Sequence, residues 1–123
     1  MPFDSRAFGN FGEKIAIQYL LKQDYQIITC HYQKKIGEID IIALDPQKFL
    51  VFFEVKARMS DKFGQPEEAV TSFKIRKLIK TAMWFLKEKK IENQKFRFDV
   101  LAIKLDQEKR RAQVKHFRNI TQS

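Results

Sequence analysis

The sequence predicts an α/β protein in which helices pack against a mixed sheet with a central antiparallel hairpin, in the order α-β-β-β-α-β-β. Three observations carry this. Two segments, residues 11–23 and 66–89, repeat apolar residues at helical spacing. The stretch from Ile36 to Ala57 is rich in β-branched and aromatic residues and is broken once, by Asp45-Pro46-Gln47-Lys48. Within it, Phe49 to Phe53 is apolar at every position, as suits a strand covered on both faces.

The elements follow in order. In residues 11–23, Ala16, Ile17, Leu20 and Leu21 form one stripe, and Asn10 is placed to cap the helix start. Tyr25 to Gln33 alternates loosely and reads as a strand. Ile36 to Leu44 and Phe49 to Ala57 are two more, joined by a turn whose proline presets its own φ, so they form an antiparallel hairpin. Residues 59 to 65, with Ser60, Asp61 and Gly64, read as a loop. From Pro66 to about Lys89, Ile75, Leu78, Ile79, Ala82, Phe85 and Leu86 make an apolar stripe, with Lys74, Lys77 and Lys80 on another side and Trp84 in line. Phe96 to Leu105 is a fourth strand and Val114 to Ile120 a fifth at the edge.

At 123 residues the chain has the size of one domain. A 44% hydrophobic and 32% charged composition excludes a disordered chain, and the longest apolar run is far too short to cross a bilayer. The first residues lack a charged-then-apolar export pattern, so residence in the cytoplasm is expected. Cys30 is the only cysteine, which excludes an internal disulfide and a multi-cysteine zinc site. The net charge of +9 favours polyanionic partners, nucleic acid before anionic membrane.

Against this background the hairpin carries charge where charge is costly. Glu38 and Asp40 share one alternation of the second strand with Ile42 and Leu44, and Glu54 and Lys56 share one of the third with Leu50 and Phe52. Whether the two sets meet depends on register. If paired residue numbers sum to 94, Asp40 faces Glu54 and Glu38 faces Lys56; an odd sum separates them. An even sum is expected. Glu13 lies on the stripe of the first helix that faces the sheet, where a carboxylate is expensive unless paired or metal-bound. Glu13, Asp40, Glu54 and Lys56 are therefore expected to converge. Crowded carboxylates resist full ionisation, and a hard divalent cation, Mg²⁺ or Mn²⁺, reverses that preference. A lysine beside such a cation can orient or deprotonate a water, or hold a phosphate. Together with the basic surplus, this points to hydrolysis of nucleic-acid phosphodiesters.

Ile39-Asp40 followed by Glu54-Val55-Lys56 resembles the PD-(D/E)XK nuclease superfamily, with Ile39 where the superfamily's name has proline. Phe11-Gly12-Glu13, Gly37-Glu38-Ile39-Asp40, Phe53-Glu54-Val55-Lys56-Ala57-Arg58 and Phe63-Gly64 are similar to the bacterial YraN-like family of endonuclease-like proteins, over nearly the whole chain. The archaeal Holliday junction resolvases share the helix glutamate and hairpin acids. The resemblance implies a restriction-endonuclease-like fold and a metal held by Asp40, Glu54 and the backbone carbonyl of Val55. It gives Lys56 to the attacking water and makes Glu13 the completion of the acidic cluster; Glu38 is an extra acid relative to the superfamily's motif, a candidate either for the metal or for pairing with Lys56 or Arg58. The implied products carry 5′-phosphate and 3′-hydroxyl ends.

The expected function is thus a metal-dependent endonuclease acting on DNA, with branched or structured DNA as candidate substrate. The alternative is a nucleic-acid-binding module that keeps the scaffold without turnover. Arg58, Lys74 and Lys77 are candidate nucleic-acid contacts, against a solvated helix face for the two lysines; Glu13 has a rival role as a helix-start acid. Trp84 reads more readily as a buried aromatic than as a stacking platform, and His31 and His116 as isolated residues without a catalytic role. Cleaving two strands of a branch would favour a homodimer.

Overall fold

The computed structural model describes residues 5–59, 72–106, 108 and 110–121. Its elements are α1 (Ser5–Lys22), β1 (Gln26–Lys34), β2 (Gly37–Leu44), β3 (Leu50–Arg58), α2 (Ser72–Glu88), β4 (Phe96–Asp106) and β5 (Arg111–Phe117), the order expected from the sequence. The five strands form one sheet in the order β1-β2-β3-β4-β5. β3 pairs antiparallel with β2 and parallel with β4, so the sheet is mixed and β3 lies at its centre. The loop expected over 59 to 65 and the helix start at Pro66 fall, Met59 apart, outside the described residues.

The apolar run of β3 divides between two cores. Val51 and Phe53 pack with Ala16 and Leu20 of α1, whereas Leu50 and Phe52 pack with Leu78, Ala82 and Phe85 of α2. Phe52 and Phe53 are both fully buried on opposite sides of the sheet. Each such burial stabilises the fold by about 1.5–3 kcal/mol relative to an exposed ring.

Two elements and one side chain differ from expectation. α1 begins at Ser5, so Asn10 lies inside the helix and caps nothing. Packing overrides the poor helix propensity here: Gly12 is pressed so closely on β3 that an added Cβ would stand 2.9 Å from that of Ala57. β5 begins at Arg111 and ends at Phe117, and Ile120 instead packs against the α2 core. Trp84 is 49% exposed, not buried, because the α2 stripe that meets the sheet runs through Leu78, Ala82 and Phe85.

Local chemistry explains the turns. Both helices end in a Schellman arrangement, with Tyr25 N donating to Leu20 O and Ile91 N to Leu86 O, each at 2.9 Å, around the left-handed residues Asp24 and Lys90. Between β2 and β3, Asp45 Oδ1 accepts from the amides of Gln47 (2.8 Å) and Phe49 (2.9 Å), which fixes the hairpin turn.

Behind this turn lies a buried polar network. Arg97 donates to Asp45, Asp99 and the Tyr25 hydroxyl; Asp99, with no exposed surface, also meets His116 Nε2 at 2.7 Å and accepts from Asn119 N at 2.9 Å. Tyr19 OH extends the chain to His116 Nδ1 at 3.1 Å. Burial opposes ionisation of Asp99, but its partners outweigh this and hold its carboxyl below the usual range. The network ties α1, β4 and the segment after β5 together. Among the described residues no helix is long and apolar enough to cross a membrane.

Candidate active site

The β2–β3 ladder runs Leu44↔Leu50, Ala43↔Val51, Ile42↔Phe52, Ile41↔Phe53. Paired numbers sum to 94, the even register expected. The next step would join Asp40 to Glu54, and there the ladder stops, while β3 continues beside β4 as far as Arg58↔Lys104. The sheet therefore forks at these two acids. The Asp40 carboxylate closes the fork: its Oδ2 accepts from the Val55 amide at 2.8 Å, taking the place of a strand partner.

The fork has a second cause, in β1. The β1–β2 register passes from Cys30↔Ile41 to Tyr32↔Ile39, and between them His31 adopts a left-handed φ of 55°. Residues two apart in a regular strand share a face. Here Cys30 and Ile41 pack in the α1 core, but Tyr32 and Ile39 pack in the α2 core. The left-handed residue turns both strands over. The single face expected for Glu38, Asp40, Ile42 and Leu44 is therefore broken at Asp40, which sits where the swap occurs.

On β3 the alternation is regular. Val55 and Ala57 pack toward α1, so Glu54 and Lys56 point toward α2, where Lys56 contacts Lys74. Lys56 Nζ lies 3.2 Å from Glu54 Oε1. Burial works against the Lys56 charge, but its contacts with Lys74, Glu54 and Asp40 outweigh burial and hold its pKa above the ordinary value. Lys74 moves the other way, its charge disfavoured first by the contact with Lys56, then by burial and by Arg58. Arg58 is the third cation of this group, and its Nε is buried and meets no acceptor among the described residues.

Glu13 approaches from the α1 side, its side chain 14% exposed. It is held by His31, whose Nε2 lies 2.7 Å from Glu13 Oε1 and whose Nδ1 lies 3.4 Å from Glu38 Oε1. Burial raises the Glu13 pKa, partly offset by His31 and reinforced by Glu38. Asp40 feels the most. Burial, then Glu54, lift its pKa from 3.8 to about 7, with Glu38 and Glu13 adding to the rise and the Val55 amide opposing it.

Among the described residues no three His, Cys, Asp or Glu side chains are grouped so as to hold a metal ion. The expected cluster of three carboxyls is thus not closed. Glu13 and Glu38 are engaged by His31, and the pair at the fork is Asp40 and Glu54. Lys77 lies further along α2, with its Nζ 5.1 Å from the centre of the Phe73 ring.

The two histidines expected to be isolated are not: His116 meets Asp99 and Tyr19, and His31 stands between Glu13 and Glu38. The signal for His31 lay only in a register, because antiparallel β1–β2 pairing places it beside Asp40. A loosely alternating strand does not specify that pairing.

Known proteins match this chain along most of its length. The model of the family described as "Uncharacterised protein family UPF0102" matches residues 12–103, which take in Glu13, the hairpin acids, Lys56 and all of α2. The chain is similar to a UPF0102 protein of Sulfurihydrogenibium sp., with 42% identity over 104 residues covering 85% of this chain and 90% of the relative. One from Fusobacterium nucleatum is 42% identical over 99 residues, covering 80% of this chain and 82% of the relative. One from Clostridium botulinum is 43% identical over 107 residues, 86% of each chain. With that span matched and these relatives aligned over 80–86% of the chain, it belongs to the UPF0102 family.

Proposed function

We propose that this protein is a metal-dependent endonuclease that hydrolyses phosphodiester bonds of DNA, with branched or otherwise structured DNA as its substrate class, on a scaffold of the PD-(D/E)XK, restriction-endonuclease-like kind. The observation that carries the reading is the fork itself. Asp40 is anchored on the Val55 amide and Glu54 lies beside Lys56, so two carboxylates and an ammonium meet where the central sheet opens.

The donor set fits Mg²⁺ or Mn²⁺. Asp40, Glu54 and the Val55 carbonyl are hard oxygen donors, and magnesium characteristically takes one or two carboxylates while keeping several waters. That Asp40 holds its proton up to about pH 7 supports the same fit, because the crowding that resists a second negative charge favours a dication. When bound, such an ion supplies a water of lowered pKa and neutralises charge on the phosphate.

The chain's own groups do the rest. The Val55 amide orients Asp40. Lys56, its pKa raised, stays an ammonium at neutral pH, so its role is to hold the water or the phosphate rather than to remove a proton. Among the described residues the Nε of Arg58, near Lys56 and Lys74, meets no acceptor, and it is a donor of the kind that pairs with a phosphate oxygen. A cytoplasmic location and a homodimer accord with action on both strands of a branch.

The test is cleavage of plasmid and four-way-junction DNA in Mg²⁺ or Mn²⁺. Wild type should cut, and Asp40→Ala and Glu54→Ala should not. Equal cleavage by all three overturns the assignment. That the described residues hold no closed three-carboxyl group favours one rival, a non-catalytic nucleic-acid-binding module. It requires salt-sensitive binding with no turnover by the wild type.

A further inference from the structure

α2 buries one stripe and presents another. Phe73, Lys77, Lys80 and Trp84 recur at helical spacing on the side away from the core, so aromatic, cation, cation and aromatic follow one another along the helix. Both rings are open, Phe73 at 59% and Trp84 at 49% exposure. Each has a lysine against it, Lys77 Nζ 5.1 Å from the Phe73 ring centre and Lys87 Nζ 6.0 Å from that of Trp84. Eleven residues of helix set the rings about 16 Å apart.

The first ring opens into a shallow groove of about 270 Å³, closed on its other side by Lys35 and Ile36 of the β1–β2 turn and floored by Arg76, Lys77 and Lys80. The turn is docked tightly on the helix. A Cβ on Gly37 would stand 2.7 Å from Thr81 Oγ1, so the walls of the groove have a fixed separation. Among the described residues its lining contains four cations and no carboxylate. Its volume falls below the roughly 300 Å³ at which enclosed small-molecule sites begin, which suits a partner that lies across the surface. The same helix carries Lys74, next to Phe73 in the chain, to Lys56 at the fork.

We propose that the outer stripe of α2 is a binding track for a single-stranded segment of nucleic acid, with unpaired bases stacked on Phe73 and Trp84 and phosphates on the lysines and Arg76. A duplex offers its flank as phosphates and hides its base faces. Open rings interleaved with cations are the complement of unpaired bases, whose stacking tolerates any sequence. The track deepens the proposed function by naming the part of a structured substrate that would be held beside the fork. It rests on that reading for the choice of substrate, but not on turnover.

Trp84 is the only tryptophan, so its fluorescence reports on this surface alone. The experiment titrates the full chain, in EDTA, with oligothymidylate and with a blunt duplex of equal length, following Trp84 emission and oligonucleotide anisotropy. Oligothymidylate should quench Trp84. Phe73→Ala should weaken single-strand binding on the order of tenfold, as loss of one base stack does, and leave duplex binding within about twofold. Phe73→Leu, which keeps apolar bulk without a π face, should behave like the alanine variant. Lys77→Ala should weaken both ligands and reduce the salt slope by about one.

Equal losses on both ligands for Phe73→Ala, wild-type binding by Phe73→Leu, or no change in Trp84 emission would overturn the track. So would phosphatidylserine vesicles that shift Trp84 emission while oligothymidylate does not, since that outcome assigns the stripe to an anionic membrane surface. Because the assay excludes metal, retained Phe73-dependent binding without any Asp40-dependent cleavage would sink the nuclease reading and leave the track standing.

Discussion

Replacing Asp40 by asparagine in metal-free protein should abolish the pH dependence of stability that the fork imposes. Asparagine is nearly isosteric, and its side-chain oxygen can still accept from the Val55 amide, so the change removes a charge and little else. The Asp40 pKa stands at about 7 against an ordinary 3.8. The folded protein thus binds this proton more tightly than the unfolded chain does. The stabilisation is full below about pH 4 and is lost as pH rises through 7. At about 1.4 kcal/mol per tenfold change in proton affinity, ionised Asp40 costs the fold about 4 kcal/mol by pH 8. That is a large share of the 5–15 kcal/mol typical of a domain. Urea unfolding in EDTA from pH 5 to 8 measures it. Groups common to both proteins cancel in the difference, so Asp40→Asn should gain on the wild type by about 3 kcal/mol between pH 5 and 7 and level off above that. Millimolar Mg²⁺ at pH 8 should restore the wild type and leave the variant unmoved. Parallel stability curves would refute the crowding at the fork, whatever becomes of the nuclease reading.

Three further outcomes are expected. Asp99→Ala strips an acceptor from Arg97, His116 and the Asn119 amide in a fully buried place, and should cost about 3–5 kcal/mol in urea unfolding. Gly12→Ala should cost about 1–3 kcal/mol by forcing α1 off β3, and its combination with Ala57→Gly should be non-additive by at least about 0.5 kcal/mol, since the two Cβ positions compete for one space. His31→Ala should raise the already elevated Glu13 pKa further, because His31 is the partner that lowers it; carboxyl-carbon NMR titration of Glu13 follows the change.

Much of this protein is legible in its sequence, for reasons that differ from element to element. The β2–β3 hairpin is legible because Asp45 and Pro46 encode their own turn, and the two-sided burial of β3 because Phe52 and Phe53 leave no wet face. The α2 stripe is legible because Leu78, Ala82 and Phe85 repeat at a period no strand shares. What escaped is non-local. The close seat of α1 on β3 depends on Gly12 meeting Ala57, and the network around Arg97 joins residues from α1, β4 and both ends of the sheet. At the candidate site, the identities of Asp40, Glu54 and Lys56 and their even register could be read from the chain. The fork could not, because it goes with a left-handed backbone at His31, and although histidine is among the side chains that enter that region more readily, nothing in the local sequence marks this one for it.

The longest ladder in the sheet, β3 against β4, is parallel, and it bears on how the protein is made. A parallel partner cannot be supplied by a tight turn, so α2 must be synthesised and folded back before Phe96 can reach Leu50. Until then a nascent chain carries its most oily strand as a bare rim, open to any neighbouring polypeptide. Fragments released from the ribosome before Phe96 are therefore expected to clump, and the molecule's most exposed moment is its own birth.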